Sequence, residues 1–264
     1  MPRQVRLYAV GDVHGYCDGL IEALDQAGIL DQQGNLLEEV RIVQVGDIYD
    51  RGPDCGRVVA YLDQQGDRVV RLLGNHELEY LHPRSCGLLS DEQFQRIIHS
   101  GHPAARYFAQ FSDFSAARRQ DLLERLATGK LLAAYASGGV LFIHAALLVR
   151  DLETLELEAD ASPEAMANCI NRLARTAAIM ARAGDFSGFE HPLFAEDGPF
   201  WRRPWNFQLP ELIPGLRQIA GHTPPGRGER HIRVIKGPKG ASLTIVDVGI
   251  MLGNREIQLV GEID

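Results

Sequence analysis

Short apolar runs alternate with amphipathic segments along the first third of the chain. Residues 5–10, 41–45 and 68–73 are rich in valine, leucine and isoleucine and have the length of buried strands. Residues 17–28 and 55–65 lie between them, and the first of these carries apolar side chains at helical spacing. The order strand–helix–strand–helix–strand predicts a parallel sheet.

The second half of the chain shows further short strands at residues 138–143 and 216–220, and glycine-separated strands from 233 to 260. Helical patterns lie between the halves. Residues 120–127 form one, and another begins with Ser162 as a cap and Pro163 at the first helical position. We therefore expect an α/β fold in one domain, residues 1–264, with helical insertions at about 78–137 and 150–198.

The amino-acid composition and net charge argue against some kinds of binding partner. The chain is 45% hydrophobic and 23% charged, which is typical of a globular protein, and its net charge of −8 argues against a nucleic-acid groove. The four cysteines have no metal-binding spacing and are expected to be free thiols. The first strand is too short for a signal peptide, and no apolar run approaches the roughly 20 residues of a membrane span. We expect a cytoplasmic protein that has no membrane partner.

Each of five predicted strands is followed by a side chain that can bind a metal. In an open α/β sheet, ligands bind beyond the carboxyl ends of the strands, so we expect these side chains to meet at one rim. They are Asp12 and His14 in GDVHG, Asp47, Asp50 and Arg51 in GDIYDRG, Asn75 and His76 in GNHE, His144 in FIHAAL, and His222 in AGHTPPG.

Oxygen and imidazole donors together suit two divalent ions such as manganese, iron or zinc. Asp12 and His14 are two residues apart, so in an extended backbone both side chains would point the same way. Asp47 is the best candidate for a carboxylate that bridges the ions. Two ions about 3.5–4 Å apart can clamp an in-line displacement at phosphorus. Arg51 would supply a planar fork for phosphate oxygens.

The motifs GDVHG, GDIYDRG and GNHE, in this order, resemble those of the calcineurin-like metallophosphoesterases. Within that superfamily they are most similar to the phosphoprotein phosphatase branch of bacterial type, which includes Shewanella-like phosphatases and relatives of diadenosine tetraphosphatases. The resemblance spans residues 5 to 250. It implies a central β-sandwich flanked by helices and a centre of two divalent ions, manganese first among the candidates, with iron or zinc as alternatives.

The resemblance also implies roles for single residues. Asp12, His14 and Asp47 would hold one ion, and Asp47, Asn75, His144 and His222 the other. His76 would protonate the leaving oxygen and would be oriented by Asp50, whereas Arg51 and the Asn75 amide would face the phosphate.

Two later segments extend the resemblance. GPFWRRPW, residues 198–205, resembles a tryptophan–x–arginine stretch that supplies a second phosphate ligand; the register points to Arg203, with Arg202 as the alternative. DVGIMLGN, residues 247–254, resembles the DxG turn of bacterial-type members. Ala145 and Ala146 stand where the eukaryotic enzymes have two glycines, so we do not carry over the regulatory subunits of those enzymes.

These observations predict a metal-dependent phosphatase that hydrolyses phosphate monoesters, on phosphoserine, phosphothreonine or phosphotyrosine of proteins, by attack of a metal-bridging hydroxide. The alternatives are a dinucleoside tetraphosphatase, a nucleotide or small-molecule phosphatase, and a non-catalytic binding protein on the same scaffold. Taken singly, the residues have simpler explanations: a DxH turn, a core histidine at 144, a helix cap at Asp50, or an arginine stacked on a tryptophan. Their joint occurrence at five strand ends favours a metal site.

Overall fold

Two sheets form the centre of the protein, which is described here by a computed structural model covering residues 4–226, 232–256 and 258–263. The first sheet has the order β3-β2-β1-β9 and the second the order β4-β5-β6-β8-β7. The strands are β1 Val5–Val10, β2 Val40–Gln44, β3 Val69–Arg71, β4 Ala134–Ser137, β5 Val140–Ile143, β6 Arg217–Ala220, β7 Arg233–Lys236, β8 Ser242–Ile245 and β9 Gln258–Ile263.

Helices cover both outer faces of the sheets. The helix at residues 17–28 and the one that begins at Ser162 are confirmed, and the segment at 120–127 is the end of a longer helix. The helices are α1 Cys17–Gln26, α2 Cys55–Gln64, α3 Asn75–Leu81, α4 Asp91–Ile98, α5 Pro103–Phe108, α6 Ala116–Thr128, α7 Val149–Thr154 and α8 Pro163–Arg182.

The parallel sheet predicted from the first three strands is confirmed, because β1 pairs with β2 and β2 with β3 in parallel. The predicted strand at 138–143 needs a correction at its start. Gly138 and Gly139 both have positive φ, 58° and 70°, and form the two-residue turn of a hairpin between β4 and β5. Such turns need φ > 0 at both central residues, which glycine adopts without strain.

Alternate residues of β1 face two different layers. Leu7 and Ala9 belong to a core cluster that also contains Phe142 of β5 and Ile219 of β6, so this cluster lies between the two sheets. Tyr8 and Val10 belong to the cluster shared with α1 and α2. The expected α/β fold with a central β-sandwich flanked by helices is therefore confirmed.

The five strand ends that carry the predicted site residues belong to two sheets, β1, β2 and β3 to the first and β5 and β6 to the second. Close contact between loops brings the ends together. A Cβ on Gly46, after β2, would lie 2.6 Å from the Cα of Gly74 and 2.6 Å from His144 Nδ1 of the second sheet. Gly46 also has a φ of 102°, so glycine is required there on both grounds.

All four cysteines, Cys17, Cys55, Cys86 and Cys169, are free and buried, as the sequence predicted. Across residues 4–226, 232–256 and 258–263, no helix has the length and apolarity needed to cross a bilayer.

Asn171 of α8 holds the edge of the second sheet. Its Oδ1 accepts hydrogen bonds from the main-chain N–H groups of Ala133 (2.8 Å) and Ala134 (3.1 Å), and its Nδ2 donates to the Ala134 carbonyl (2.8 Å). Asn171→Ala would leave these groups of two fully buried residues without partners. We expect the free energy of unfolding to fall by about 2–3 kcal/mol, measured by urea denaturation. Asn168→Ala, an exposed amide one turn earlier, is the control, and equal losses in both variants would contradict this role.

Candidate functional site

The loops that follow β1 and β2 are bound to each other. The main-chain N–H groups of Val13 and His14 both donate to the Asp47 carbonyl, at 3.0 and 2.9 Å. His14 has a φ of 47°, so the segment from Asp12 to His14 is a turn and not the extended backbone expected from the sequence. The turn directs the N–H groups of Val13 and His14 toward the same Asp47 carbonyl.

Left-handed backbone is concentrated at this centre. Such φ values are unfavourable for residues other than glycine and persist only where the surrounding structure holds them, most often at functional sites. In the described part of the chain seven non-glycine residues have positive φ, and five of them are predicted site residues: His14, Asp47, Asp50, Arg51 and His222.

One buried carboxylate holds the loop after β2. Glu77 Oε2 accepts from the N–H groups of Asp47 (2.9 Å) and Gly74 (2.8 Å), and Oε1 from those of Ile48 (2.8 Å) and Tyr49 (3.1 Å). Burial and the neighbouring Asp47 raise the pKa of Glu77 to about 7, while these N–H groups oppose the shift. Glu77 thus fixes the direction of the Asp47 side chain.

Three buried imidazoles each contact a backbone carbonyl through one ring nitrogen. A carbonyl oxygen can only accept, so that nitrogen carries the proton and the other nitrogen presents a lone pair. The pairs are His14 Nδ1 with Tyr49 (2.8 Å), His144 Nδ1 with Val45 (2.7 Å) and His222 Nε2 with Trp201 (2.8 Å).

The lone pairs of His144 and His222 point at oxygen atoms, and that of His14 faces both an Asp47 oxygen and Arg51 Nη1, which donates to it at 3.1 Å. His14 Nε2 and His144 Nε2 each lie 3.5 Å from an Asp47 carboxylate oxygen, and Asn75 Oδ1 lies 3.0 Å from His144 Nε2 and 2.8 Å from His222 Nδ1. Burial lowers the pKa of all three imidazoles, that of His14 to about 4, so they are neutral. Where a nitrogen lone pair faces an oxygen that can only accept, a cation between the two atoms would stabilise both. This set of nitrogen and oxygen ligands fits divalent ions.

An excess of buried negative charge supports the same conclusion. Asp12 accepts from the N–H of His222, at 2.9 and 3.2 Å, and burial together with Asp247 and Asp47 raises its pKa well above the usual range. Burial raises the pKa of Asp247 to about 6. Asp247 was not among the predicted ligands, although the DxG turn pointed to this segment; its Oδ1 accepts from Gly249 N–H at 3.0 Å. Divalent cations would offset this charge.

His76 differs from the other three imidazoles. Its Nδ1 lies 2.7 Å from Asp50 Oδ2, and its Nε2 lies 2.8 Å from Arg51 Nη2. Burial alone would lower the pKa of His76, but the carboxylates of Asp47 and Asp50 outweigh it and raise the pKa. The alternative of Asp50 as a helix cap is not what the structure shows, because Asp54 caps α2.

Among the described residues, the possible metal ligands fall into two groups within 4.8 Å, one of Asp47, His144 and His222, and one of His14, Asp47 and His76. The first coincides with the predicted second metal set apart from Asn75, which contacts both of its histidines. The second contains His76 where the sequence prediction has Asp12. His76 differs from the other imidazoles in that its Nδ1 contacts a carboxylate, Asp50, and not a backbone carbonyl.

The two candidate arginines have different surroundings. Both terminal nitrogens of Arg202 contact the carboxylate of Asp151, one of them at 2.7 Å, and the side chain is buried. Arg203 is partly exposed, with its Cζ 5.6 Å from the Trp205 ring centre. Its positive charge adds to burial in lowering the pKa of His222. The charge of Arg203 therefore acts on His222, whereas Arg202 is held by Asp151.

Comparison with known proteins agrees with this geometry. The sequence model of the family described as calcineurin-like phosphoesterase matches residues 5–172, which is more than half of the chain. The zinc-dependent endopolyphosphatase of Saccharomyces cerevisiae is 41% identical over 78 residues, which cover 28% of this chain and 22% of that protein. The symmetrical bis(5'-nucleosyl)-tetraphosphatase of Aromatoleum aromaticum is 24% identical over 229 residues, 84% of this chain and 70% of that protein.

Among solved structures, the cold-active protein-tyrosine phosphatase of a psychrophilic Shewanella species has the same fold, with a TM-score of 0.65 at 21% identity. The match covers 99% of this chain and 78% of that one. The chain spans less than half the length of the first curated relatives it matches. The family match confirms the resemblance found in the sequence.

Glu77→Gln tests whether the carboxylate holds the loop. The amide has one accepting oxygen, so two of the four buried N–H groups would face a donor. We expect the free energy of unfolding of the metal-free protein to fall by roughly 2–5 kcal/mol in urea denaturation, and bound divalent metal to decrease. Glu79→Gln, two residues along α3, accepts from Tyr107 Oη (2.6 Å), which an amide oxygen can still do, and it is the control. Wild-type stability in Glu77→Gln would show that the Glu77 carboxylate is not what holds the loop after β2.

Proposed function

The chain belongs to the calcineurin-like phosphoesterase family, and from that premise we propose that it is a metal-dependent phosphatase that hydrolyses phosphate monoesters on proteins. One observation carries the proposal. Lone pairs of His14, His144 and His222 converge on the oxygens of Asp47 and Asn75 within a buried site, directly beside an arginine and a second kind of histidine. This set has both metal donors and groups that can bind and protonate a phosphate ester.

The predicted metal ligands fit a pair of divalent ions in this site. Asp12, His14 and Asp47 would hold one, and Asp47, Asn75, His144 and His222 the other. When bound, the ions polarise the phosphoryl group and acidify water. Manganese, iron and zinc all suit these donors, and the yeast relative is named as zinc-dependent.

Two arginines would bind the phosphate. The Arg51 guanidinium reaches His14 Nε2 at 3.1 Å and His76 Nε2 at 2.8 Å, so it already spans the space in front of both rings. From there its planar fork can grip two phosphate oxygens. Arg203 lies between α8 and β6, and its charge would stabilise the negative charge on the equatorial oxygens in the transition state.

His76 would donate the proton to the leaving oxygen. Asp50 binds its Nδ1 at 2.7 Å, which leaves Nε2 as the nitrogen that faces the site and exchanges a proton. The carboxylates that raise the pKa of His76 favour the protonated ring, which could give its Nε2 proton to the leaving oxygen.

Dinucleoside tetraphosphate hydrolysis is the second candidate. The match to the bis(5'-nucleosyl)-tetraphosphatase of Aromatoleum aromaticum extends over 84% of this chain and favours it. Complete GDIYDRG and GNHE motifs favour the phosphoprotein branch. Initial rates of the metal-reconstituted protein on phosphoserine, phosphothreonine and phosphotyrosine peptides, against diadenosine tetraphosphate and mononucleotides, decide between them. Failure to hydrolyse any of these would favour the non-catalytic alternative.

His76→Asn tests the role of the general acid. We expect turnover of alkyl phosphate esters to fall by roughly 10²–10⁴-fold, the usual contribution of a general acid. Turnover of an aryl phosphate, which needs less help to leave, should fall much less. Metal content, measured by atomic emission, should stay at the wild-type value because His76 is assigned no metal. Equal losses on both substrates, or loss of metal, would count against the assignment.

Arg203→Ala and Arg202→Ala should separate binding from stability. Arg203→Ala removes a charge-assisted contact, so the inhibition constant of inorganic phosphate should rise by roughly ten- to hundredfold. Arg202→Ala leaves the buried Asp151 without its partner, so the free energy of unfolding should fall by about 3–5 kcal/mol while phosphate inhibition stays near wild type. If Arg202→Ala weakens phosphate inhibition and Arg203→Ala does not, Arg202 and not Arg203 is the phosphate ligand.

A further inference from the structure

The carboxylate that binds His76 is itself held by two groups outside the GDIYDRG and GNHE motifs. Asp50 is fully buried, and its Oδ1, the oxygen that does not face His76, accepts from Tyr80 Oη at 2.6 Å. The same oxygen accepts from the main-chain N–H of Asp113 at 3.0 Å. With the 2.7 Å contact of Oδ2 to His76 Nδ1, both carboxylate oxygens are bound.

Tyr80 is placed as a hydrogen-bond donor by its position on α3. It lies one helical turn after His76, so the two side chains project from the same face and can reach one carboxylate. Its ring is fully buried, stacked on Tyr49 at 5.9 Å and edge-on to Phe114 at 5.3 Å. Burial and the Asp50 carboxylate raise the pKa of Tyr80, so the phenol keeps its proton and can only donate to Asp50.

The second donor comes from the helical segment between α3 and β4. The main-chain N–H of Phe114 donates to the Phe111 carbonyl at 3.0 Å, which closes a turn with Asp113 inside it. The Phe111 and Phe114 side chains are buried, and the Phe111 ring lies 5.7 Å from that of His76. The turn therefore presents its N–H to Asp50 from a fixed position.

From these contacts we propose that Tyr80, together with the main-chain N–H of Asp113, is a positioning group for the Asp50–His76 pair. A carboxylate held at Oδ1 by two donors cannot rotate, so its Oδ2 keeps the His76 ring in the tautomer with the proton on Nδ1 and Nε2 directed into the site. The segment that contains Asp113 therefore helps to position the general acid His76. The proposal rests on the general-acid role given to His76 above.

Tyr80→Phe removes one oxygen atom from a buried ring of the same shape. The first measurement needs no activity: in the metal-free protein, the rate at which the His76 Nδ1–H proton exchanges with water, observed by NMR and assigned with His76→Asn. We expect this rate to rise by roughly tenfold, the effect of losing one hydrogen bond to a charged acceptor. The second measurement is turnover, where kcat on an alkyl phosphate should fall by roughly tenfold, kcat on an aryl phosphate much less, and KM should not change.

Tyr107→Phe is the matched control, because its hydroxyl donates to Glu79 at 2.6 Å and not to Asp50. It should leave the His76 proton and both kcat values as in the wild type. The proposal is overturned if Tyr80→Phe leaves the exchange rate of the His76 proton at the wild-type value. It is also overturned if kcat falls equally on both esters. If His76→Asn itself shows no dependence on the leaving group, the acid role fails, and the exchange rate still decides whether Tyr80 positions the ring.

Discussion

Four main-chain N–H groups in two loops depend on the single carboxylate of Glu77, and the site depends on those loops. Without an acceptor, each N–H would be buried and unsatisfied, at a cost of about 1–3 kcal/mol. With it, the backbone after β2 can hold left-handed conformations at Asp47, Asp50 and Arg51. The position of Gly74 has the same origin, since a Cβ there would lie 2.2 Å from Asp47 Oδ1. A helix residue thus fixes the loop that carries Asp47, Asp50 and Arg51.

The histidines near Glu77 are of two kinds, which differ in the direction of their pKa shift. Burial dominates at His14, His144 and His222, which stay neutral and are fixed as tautomers by backbone carbonyls. At His76 two carboxylates outweigh burial, and the pKa rises. Neutral imidazoles are the form that binds metals, and a protonated imidazole is the form that can donate a proton. The two kinds differ because the partner of Nδ1 or Nε2 is a backbone carbonyl in the first case and Asp50 in the second.

The sequence was sufficient where the signal is local. Motifs at strand ends predicted which side chains meet, because strand, turn and ligand are neighbours in the chain. Local patterns say less where the answer depends on contacts distant in sequence. The two sheets were expected only from the family resemblance, since pairings such as β1 with β9 and β5 with β6 are not encoded by any local pattern. The register of the motif favoured Arg203 over Arg202, and the contact that separates them in the structure is made by Asp151, 51 residues before Arg202. Tyr80 looks like an ordinary core residue of an amphipathic helix.

The helical segment between α3 and β4 shows how such a long-range contact ties function to packing. Phe111 and Phe114 are buried in the same core cluster as Tyr80, so the energy that folds this segment also sets the place of the Asp113 N–H. Asp50 can remain fully buried because three donors surround it, two from α3 and one from the turn at Asp113. A buried carboxylate with fewer donors would be costly and free to turn. By supplying the Asp113 N–H, the segment lowers the cost of burying the Asp50 carboxylate. That burial keeps the Asp50–His76 contact away from water.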